Sequence, residues 1–277
     1  MKRKFFFLLI ALVILALGTV FLYTKTNTIE VSNKETAEAL FFGDLSSSTP
    51  EIPTDPALLT FTNTQTWDPK LLRIASETPY YVGDSEKIIS LPLPPANTSP
   101  ETKKELEVLL SYKALREAHK KDILEQADFA TIKFDGRLFT DYLDDKKFPL
   151  TAAVFEKSFD DITTLTFRIK QKFNRVRPSF LEPNIAPMID IPDHPAYPSG
   201  HSTQMHFAAL VLGELEPKKK AVLWTEADAI AKNREIAGLH YPSDSAAGVS
   251  LAQQFFKYLM QKEEFKNLLL GAKSEWK

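Results

Sequence analysis

The chain of 277 residues contains no cysteine. That excludes disulfides, thiolate zinc sites and a cysteine nucleophile, and also lipid attachment through an N-terminal cysteine. It does not name a compartment, because an oxidising space permits disulfides without requiring them. A global field of one sign is missing too: 34 basic and 36 acidic residues leave a net charge of -2. Nothing in that balance points to nucleic acid or an acidic polymer, so any anion site has to be a local arrangement of cations. After residue 23 no apolar run is long enough to cross a bilayer. No internal repeat is visible, the histidines show no HExxH zinc spacing, and strand-like alternation is nearly absent after residue 100.

What is present begins at the N-terminus. Lys2, Arg3 and Lys4 precede Phe5–Tyr23, which carries no charge. A basic start followed by an apolar stretch marks a secretory signal or an uncleaved signal anchor. Basic residues stay on the cytoplasmic side, so either reading exports the rest, to a periplasmic or extracellular location, with at most a single-helix membrane anchorage. Residues 24–66 are rich in Thr, Asn, Ser and Pro and read as a polar linker with one short helix near Lys34–Phe42. The globular domain is expected over residues 67–277, starting at Trp67, and 44% hydrophobic residues in the chain suffice for a sizeable core.

Residues 90–100, SLPLPPANTSP, form an extended Pro-rich segment. Helical spacing then predicts helices over Glu101–Lys133, Arg137–Leu143, Thr151–Val176, Ser202–Glu214, Pro217–Ala237 and Pro242–Lys262. Ser99 stands where the first expects a cap, Pro100 and Pro242 stand in first turns, and Gly238 stands where a helix ends. The expectation is an all-α helical bundle.

Three short segments gather the chemistry. In the first, Lys170 and Arg177 are seven residues apart, nearly two helical turns, which predicts one shared face with Lys172 and Arg175 pointing elsewhere. The second, Tyr197-Pro198-Ser199-Gly200-His201, ends a loop and opens an apolar helix. There Gly200 allows close backbone approach and first-turn amides can face an anion. The third places Arg234 on a last helical turn, His240 in a short connection and Asp244 one turn further on. Asp244 can accept from Nδ1 and leave Nε2 of His240 free to attack. Each segment alone also has a plain reading: a solvated basic face, a Ser199-capped helix start, or a His–Asp contact at a turn. Together they supply three cations, two titrating bases and an orienting carboxylate, the inventory of phosphoryl transfer.

The combination resembles the three-part signature of the phosphatidic acid phosphatase type 2 superfamily. That superfamily includes the bacterial class A non-specific acid phosphatases, which look closest, and the related vanadium haloperoxidases. Ten positions carry the resemblance: Lys170, Arg177, Pro178, Pro198, Ser199, Gly200, His201, Arg234, His240 and Asp244. One departs, because Asn233 stands where the family usually has serine. The resemblance implies an all-α fold and hydrolysis of phosphate monoesters through a phosphohistidine on His240, oriented by Asp244. His201 would be acid and then base. Lys170, Arg177, Arg234 and the amides near Ser199 and Gly200 would hold the phosphate. It implies no metal and no cofactor, a small phosphorylated substrate, vanadate as an inhibitor, and an acidic to mildly acidic optimum.

Three rivals stand beside this reading. One is a haloperoxidase holding vanadate as cofactor, another a lipid phosphate phosphatase at the membrane surface, and the third a binding protein on a degenerate scaffold. The remaining histidines read as bystanders: His119 exposed, His206 on another face than His201, and His194 a loop residue. The sequence names neither the alcohol half of the substrate nor an oligomeric state.

Overall fold

The structure, a computed structural model, describes residues 52–81 and 89–276. The expected signal or anchor, residues 1–23, and the helix expected at Lys34–Phe42 lie outside the described residues. Pro50–Lys277 form one compact unit, whose described part is all-α apart from a two-stranded hairpin.

The α-helices in order are α1 (Phe61–Thr64), α2 (Pro69–Ser76), α3 (Pro100–Tyr112), α4 (Arg116–Glu125), α5 (Pro149–Phe173), α6 (Pro178–Leu181), α7 (Gly200–Leu215), α8 (Lys220–Ile236), α9 (Pro242–Leu259) and α10 (Glu263–Ala272). The strands β1 (Lys133–Phe134) and β2 (Arg137–Leu138) pair antiparallel between α4 and α5. Among the described residues no helix is long and apolar enough to cross a membrane. Proline in the first turn opens α2, α3, α5, α6 and α9, where its missing N–H costs nothing and its fixed φ suits the helix. Ser99 caps α3, accepting from the Thr102 amide at 3.1 Å.

The core lies between α5, α7, α9 and α10. Val154, Phe155, Phe159, Ile162 and Leu165 line one stripe of α5, and they pack with Phe207, Val211, Phe255, Leu259 and Phe265. Fully burying one such side chain stabilises the fold by about 1.5–3 kcal/mol, so this stripe decides which face of α5 turns inward. The end of α5 that carries the site's first cation is thereby set on a rigid support.

Several expected boundaries shift. The single helix expected over Glu101–Lys133 is two, joined by a 3-10 turn at Lys113–Leu115. Its halves serve different apolar clusters: Leu109 packs with Ile185, Ala196 and Tyr241, whereas Ile123 packs with Ile236, Ala237 and Leu239. A straight helix could not reach both. The helix expected at Arg137–Leu143 is strand at Arg137–Leu138 and 3-10 over Phe139–Leu143. Helix α10 carries buried Phe265 and Leu269 and was not anticipated. The last part of the expected linker packs on the domain. Phe61 is fully buried, and its amide donates to the Asn174 carbonyl at 2.9 Å.

Two glycines bring the parts of the site together. A Cβ at Gly248 of α9 would lie 2.8 Å from Ser202 Cβ and 2.9 Å from the Ser199 carbonyl. Only glycine allows α9 to press this closely on the start of α7. Gly238 has φ +82° and lies against Ile185 and Arg116. It turns the chain from the end of α8 toward His240. Arg116 secures that turn, donating from Nε to the Ile236 carbonyl at 2.9 Å and from Nη1 to the Ala186 carbonyl at 2.7 Å.

Candidate active site

Helix α5 ends earlier than its pattern predicts. Asn174 adopts the left-handed conformation, φ 49° and ψ 33°, which asparagine tolerates better than most residues. Lys170 and Arg177 therefore do not share a helix face. Lys170 sits in the last turn of α5, and Arg177 is extended, at φ -73° and ψ 149°, as the N-cap of α6. The kink carries both side chains inward, and both are fully buried.

Lys170 Nζ donates to the carbonyls of Pro195, Ala196 and Pro198 at 2.7, 3.3 and 2.5 Å. It thus ties the loop before α7 to α5. Burial, and then the charge of Arg177, push the Lys170 ammonium well below its ordinary range, against the pull of Asp244. Arg177 donates from Nε and Nη2 to the His194 carbonyl at 3.0 and 2.7 Å. From Nη1 it reaches the Leu239 carbonyl at 2.9 Å and His240 Nε2 at 3.1 Å. Burial lowers Arg177 to about 9 and Arg234 to about 10, so both remain cations at neutral pH. Arg234, in the last turn of α8, is 2% exposed. Its Nε and Nη1 are buried without a hydrogen-bond partner.

His240 is 2% exposed. Its Nδ1 lies 3.3 Å from Asp244 Oδ2, and its Nε2 faces the Arg177 donor. An arginine can only donate, so the lone pair is on Nε2 and the proton on Nδ1. That is the tautomer a nucleophilic Nε2 requires. Burial, and then the charges of Arg177, Lys170, Arg234 and His201, hold His240 well below the ordinary histidine range.

Asp244 is the hub. Oδ2 also accepts from the Tyr241 amide at 2.9 Å, and Oδ1 accepts from Arg175 Nη1 at 2.6 Å. Helical spacing predicts Arg175 pointing away from Lys170 and Arg177. Because the chain leaves the helix at Asn174, Arg175 turns inward instead and is buried. It also pairs with Glu105 of α3 at 3.0 Å, contacts Ser243 Oγ at 2.8 Å and stacks 3.8 Å from the Tyr241 ring. Glu105 in turn accepts from the Ser243 amide at 2.6 Å. Burial lowers the Arg175 pKa, but Asp244, Tyr241 and Glu105 outweigh it and raise it overall. Neither Arg175 nor Glu105 belongs to a recognisable motif. Their only sequence signal is opposite charge 70 residues apart.

Ser199 is fully buried and caps α7. Its amide donates to the Asp244 carbonyl at 2.9 Å, so that amide is not free for a phosphate oxygen. The amides of Gly200 and His201, in the first turn of α7, have no intrahelical acceptor by the geometry of any helix start. A Cβ at Gly200 would meet only the Gln204 side-chain tip at 3.8 Å. Packing therefore does not demand glycine there, and the open side suits the approach of a ligand. His201 is half-buried, with Nε2 3.0 Å from the Gln126 carbonyl. Burial, and then Arg234, lower it well below its ordinary range; the Gln126 carbonyl opposes them.

The three other histidines are less idle than expected. His194 lies beside the site, with Nδ1 3.1 Å from Arg177 Nη2, and burial and then Lys170 lower its pKa. His119 is half-buried rather than exposed, because Nδ1 pairs with Asn233 Oδ1 at 2.9 Å. His206 is fully buried and reaches Asp228 at 2.9 Å. Among the described residues no cluster of three or more His, Asp or Glu could hold a metal ion.

The fold and site together define a class: an all-α protein with an oriented histidine among buried cations. Residues 158–267 match the model of the PAP2 superfamily. The chain is 37% identical over 83 residues to decaprenylphosphoryl-5-phosphoribose phosphatase of Mycobacterium tuberculosis, covering 30% of this chain and 45% of that protein. It is 29% identical over 111 residues to the non-specific acid phosphatase of Providencia stuartii, 39% of this chain and 45% of that one. The matches thus span about half the length of the curated relatives. Among solved structures, a bacterial vanadium-dependent iodoperoxidase superposes with a TM-score of 0.56 at 16% identity, over 78% of this chain and 64% of that one. That likeness concerns the fold.

Proposed function

We propose that this protein hydrolyses small phosphate monoesters without a metal or cofactor, through a phosphohistidine on His240, and that it does so outside the cytoplasm. The observation that carries the reading is Arg234. A guanidinium buried with Nε and Nη1 unpartnered costs several kcal/mol unless an anion completes it. Lys170 and Arg177, which spend their donors on carbonyls and histidines, add charge without a carboxylate of their own. A tetrahedral dianion held by the three cations and the first-turn amides of α7 meets that need.

His240 Nε2 then attacks phosphorus, and its Nδ1 keeps its proton, hydrogen-bonded to Asp244. His201, protonated, gives its proton to the departing alkoxide. Water, deprotonated by His201, opens the phosphohistidine and releases phosphate. The export reading rests on residues 1–23, and the substrate in this proposal is a small phosphorylated compound. The two phosphatase relatives support the reaction class. The phosphoribosyl lipid in the name of one makes a lipid phosphate the second substrate to compare.

Vanadate mimics phosphate, and the same cations and His240 Nε2 suit it. It is expected to inhibit hydrolysis of 4-nitrophenyl phosphate competitively, and Arg234→Ala to weaken that inhibition at least about tenfold, the effect of one charge-assisted contact. An enzyme active on the ester and indifferent to vanadate would contradict the phosphohistidine route.

The pH dependence has a definite sign. A depressed His240 stays neutral, and nucleophilic, well below pH 6.5. His201 is also depressed in the free protein, and a bound phosphate supplies the opposite charge that favours its protonation. Activity is therefore expected to persist into acid and to fall as pH rises past the range where substrate and His201 can share a proton. Rates from pH 4 to 9 check this, and a rise through pH 8 would reverse the two histidine roles.

A further inference from the structure

Asn233 departs from the superfamily's usual serine, and the structure shows what it touches. It is 3% exposed, and both ends of its amide are engaged. Nδ2 donates to Gln126 Oε1 at 2.9 Å, and Oδ1 lies 2.9 Å from His119 Nδ1. With Oδ1 as acceptor, His119 Nδ1 must carry the proton. Gln126 caps the C-terminal end of α4, and its amide donates to the Asp122 carbonyl at 2.8 Å. Its own carbonyl points away from that helix and accepts from His201 Nε2 at 3.0 Å. Phe129, packed on Phe139 and Phe159, backs the His201 ring at 5.1 Å between centroids.

We infer that Gln126, clamped by Asn233 and through it by His119, positions His201 so that Nδ1 is the atom exchanging a proton with the leaving oxygen. This rests on the reading of His201 as the acid in phosphate ester hydrolysis. A carbonyl can only accept, so it holds a proton on Nε2 in both charge states of the ring. The second proton of the imidazolium therefore resides on Nδ1. It passes from Nδ1 to the alkoxide as the P–O bond breaks, and Nδ1 later takes a proton from the attacking water. The carbonyl also belongs to the negative end of α4, which favours the imidazolium. The charges that act on the ring are those of Arg234, Lys170 and Arg177, which oppose its protonation, and His201 in turn acts on His240. Gln126 and Asn233 touch no reacting atom, so their role is orientation.

The experiment compares the native protein with Gln126→Ala, Asn233→Ala and Gln126→Glu on a series of phosphate esters whose alcohols differ in acidity. General acid catalysis is worth roughly 10²–10⁴-fold, and the alanine variants, which keep the main-chain carbonyl at residue 126 but lose the side-chain clamp on it, give up part of that. Both alanine variants are expected to lose about tenfold or more in kcat/KM on alkyl phosphates and less than about threefold on 4-nitrophenyl phosphate. The plot of log kcat/KM against alcohol pKa then steepens. Gln126→Glu keeps an acceptor for Asn233 Nδ2 and should restore the native slope. Equal losses on every ester, or a native slope in the alanine variants, would overturn the inference. A second readout needs no turnover. In 15N-labelled protein, neutral His201 should be the Nε2–H tautomer, and finding Nδ1–H would overturn it too. A native protein whose slope is unchanged by His201→Ala would instead overturn the underlying acid assignment.

Discussion

His240→Ala is expected to abolish phosphate ester turnover, by a factor on the order of 10⁴ or more, while the fold survives. The size follows from the role. Removing a nucleophile removes the covalent route, and what remains is positioning and charge stabilisation by groups that cannot attack. The fold should survive because the imidazole makes few packing contributions of its own. Its Nδ1 reaches Asp244 at a long 3.3 Å, and Asp244 keeps Arg175 and the Tyr241 amide without it. Removal also frees Arg177 Nη1, which retains the Leu239 carbonyl at 2.9 Å. Denaturing gels after a short exposure to a 32P-labelled ester provide the direct check. The native protein should carry acid-labile, base-stable label, and the variant none. A variant that keeps a tenth of native activity would end the nucleophile assignment. Adding imidazole offers a further check, since a small nucleophile entering the space left at residue 240 should restore part of the turnover.

The three motif segments were legible because their spacing is local: a histidine and a carboxylate four residues apart, or a glycine at the start of an apolar helix. The all-α fold was legible for the same reason, since helical periodicity is read within a few turns. Where the reading failed, the cause lay beyond the window. Lys170 and Arg177 were joined through a helix face that does not exist. Asn174 ends α5, and its side chain is held by Thr62, 112 residues away. The helical spacing turns Arg175 away from Lys170 and Arg177, whereas its carboxylates come from α3 and α9 and draw it inward. The lysines around His119 predict an exposed ring, yet Asn233 of α8 reaches it. Each error concerns a tertiary partner of a polar side chain, which no periodicity reports. The apolar stripe of α5, by contrast, declares its buried face without naming what it will pack on.

Arg175→Met is the second substitution with a large expected effect, and it separates structure from chemistry. Methionine retains much of the apolar stem that lies against Tyr241 but removes the fork. Asp244 Oδ1 and Glu105 are then left as buried carboxylates without their cation. Breaking a buried pair by removing one partner costs about 3–5 kcal/mol. For a domain of this size that corresponds to a fall of roughly 6–20 °C in Tm, readable by calorimetry. The chemistry should move in a defined direction. With Arg175 gone, the Asp244 charge is no longer shared and acts more strongly on His240 Nδ1, which favours the imidazolium. The pKa of His240 therefore rises from its depressed native position. Since the attacking Nε2 must be unprotonated, the acid limb of kcat/KM shifts to higher pH. Arg175→Lys restores the charge, but an ammonium is a point donor and cannot hold Asp244, Glu105 and Ser243 in one plane. It should recover part of the stability while leaving the acid limb between those of the native and methionine proteins. If Arg175→Met melted within about 2 °C of the native protein with an unchanged pH profile, the buried Arg175–Asp244 pair would have neither role. The orientation of His240 would then rest on the Tyr241 amide and the capping of α9 alone.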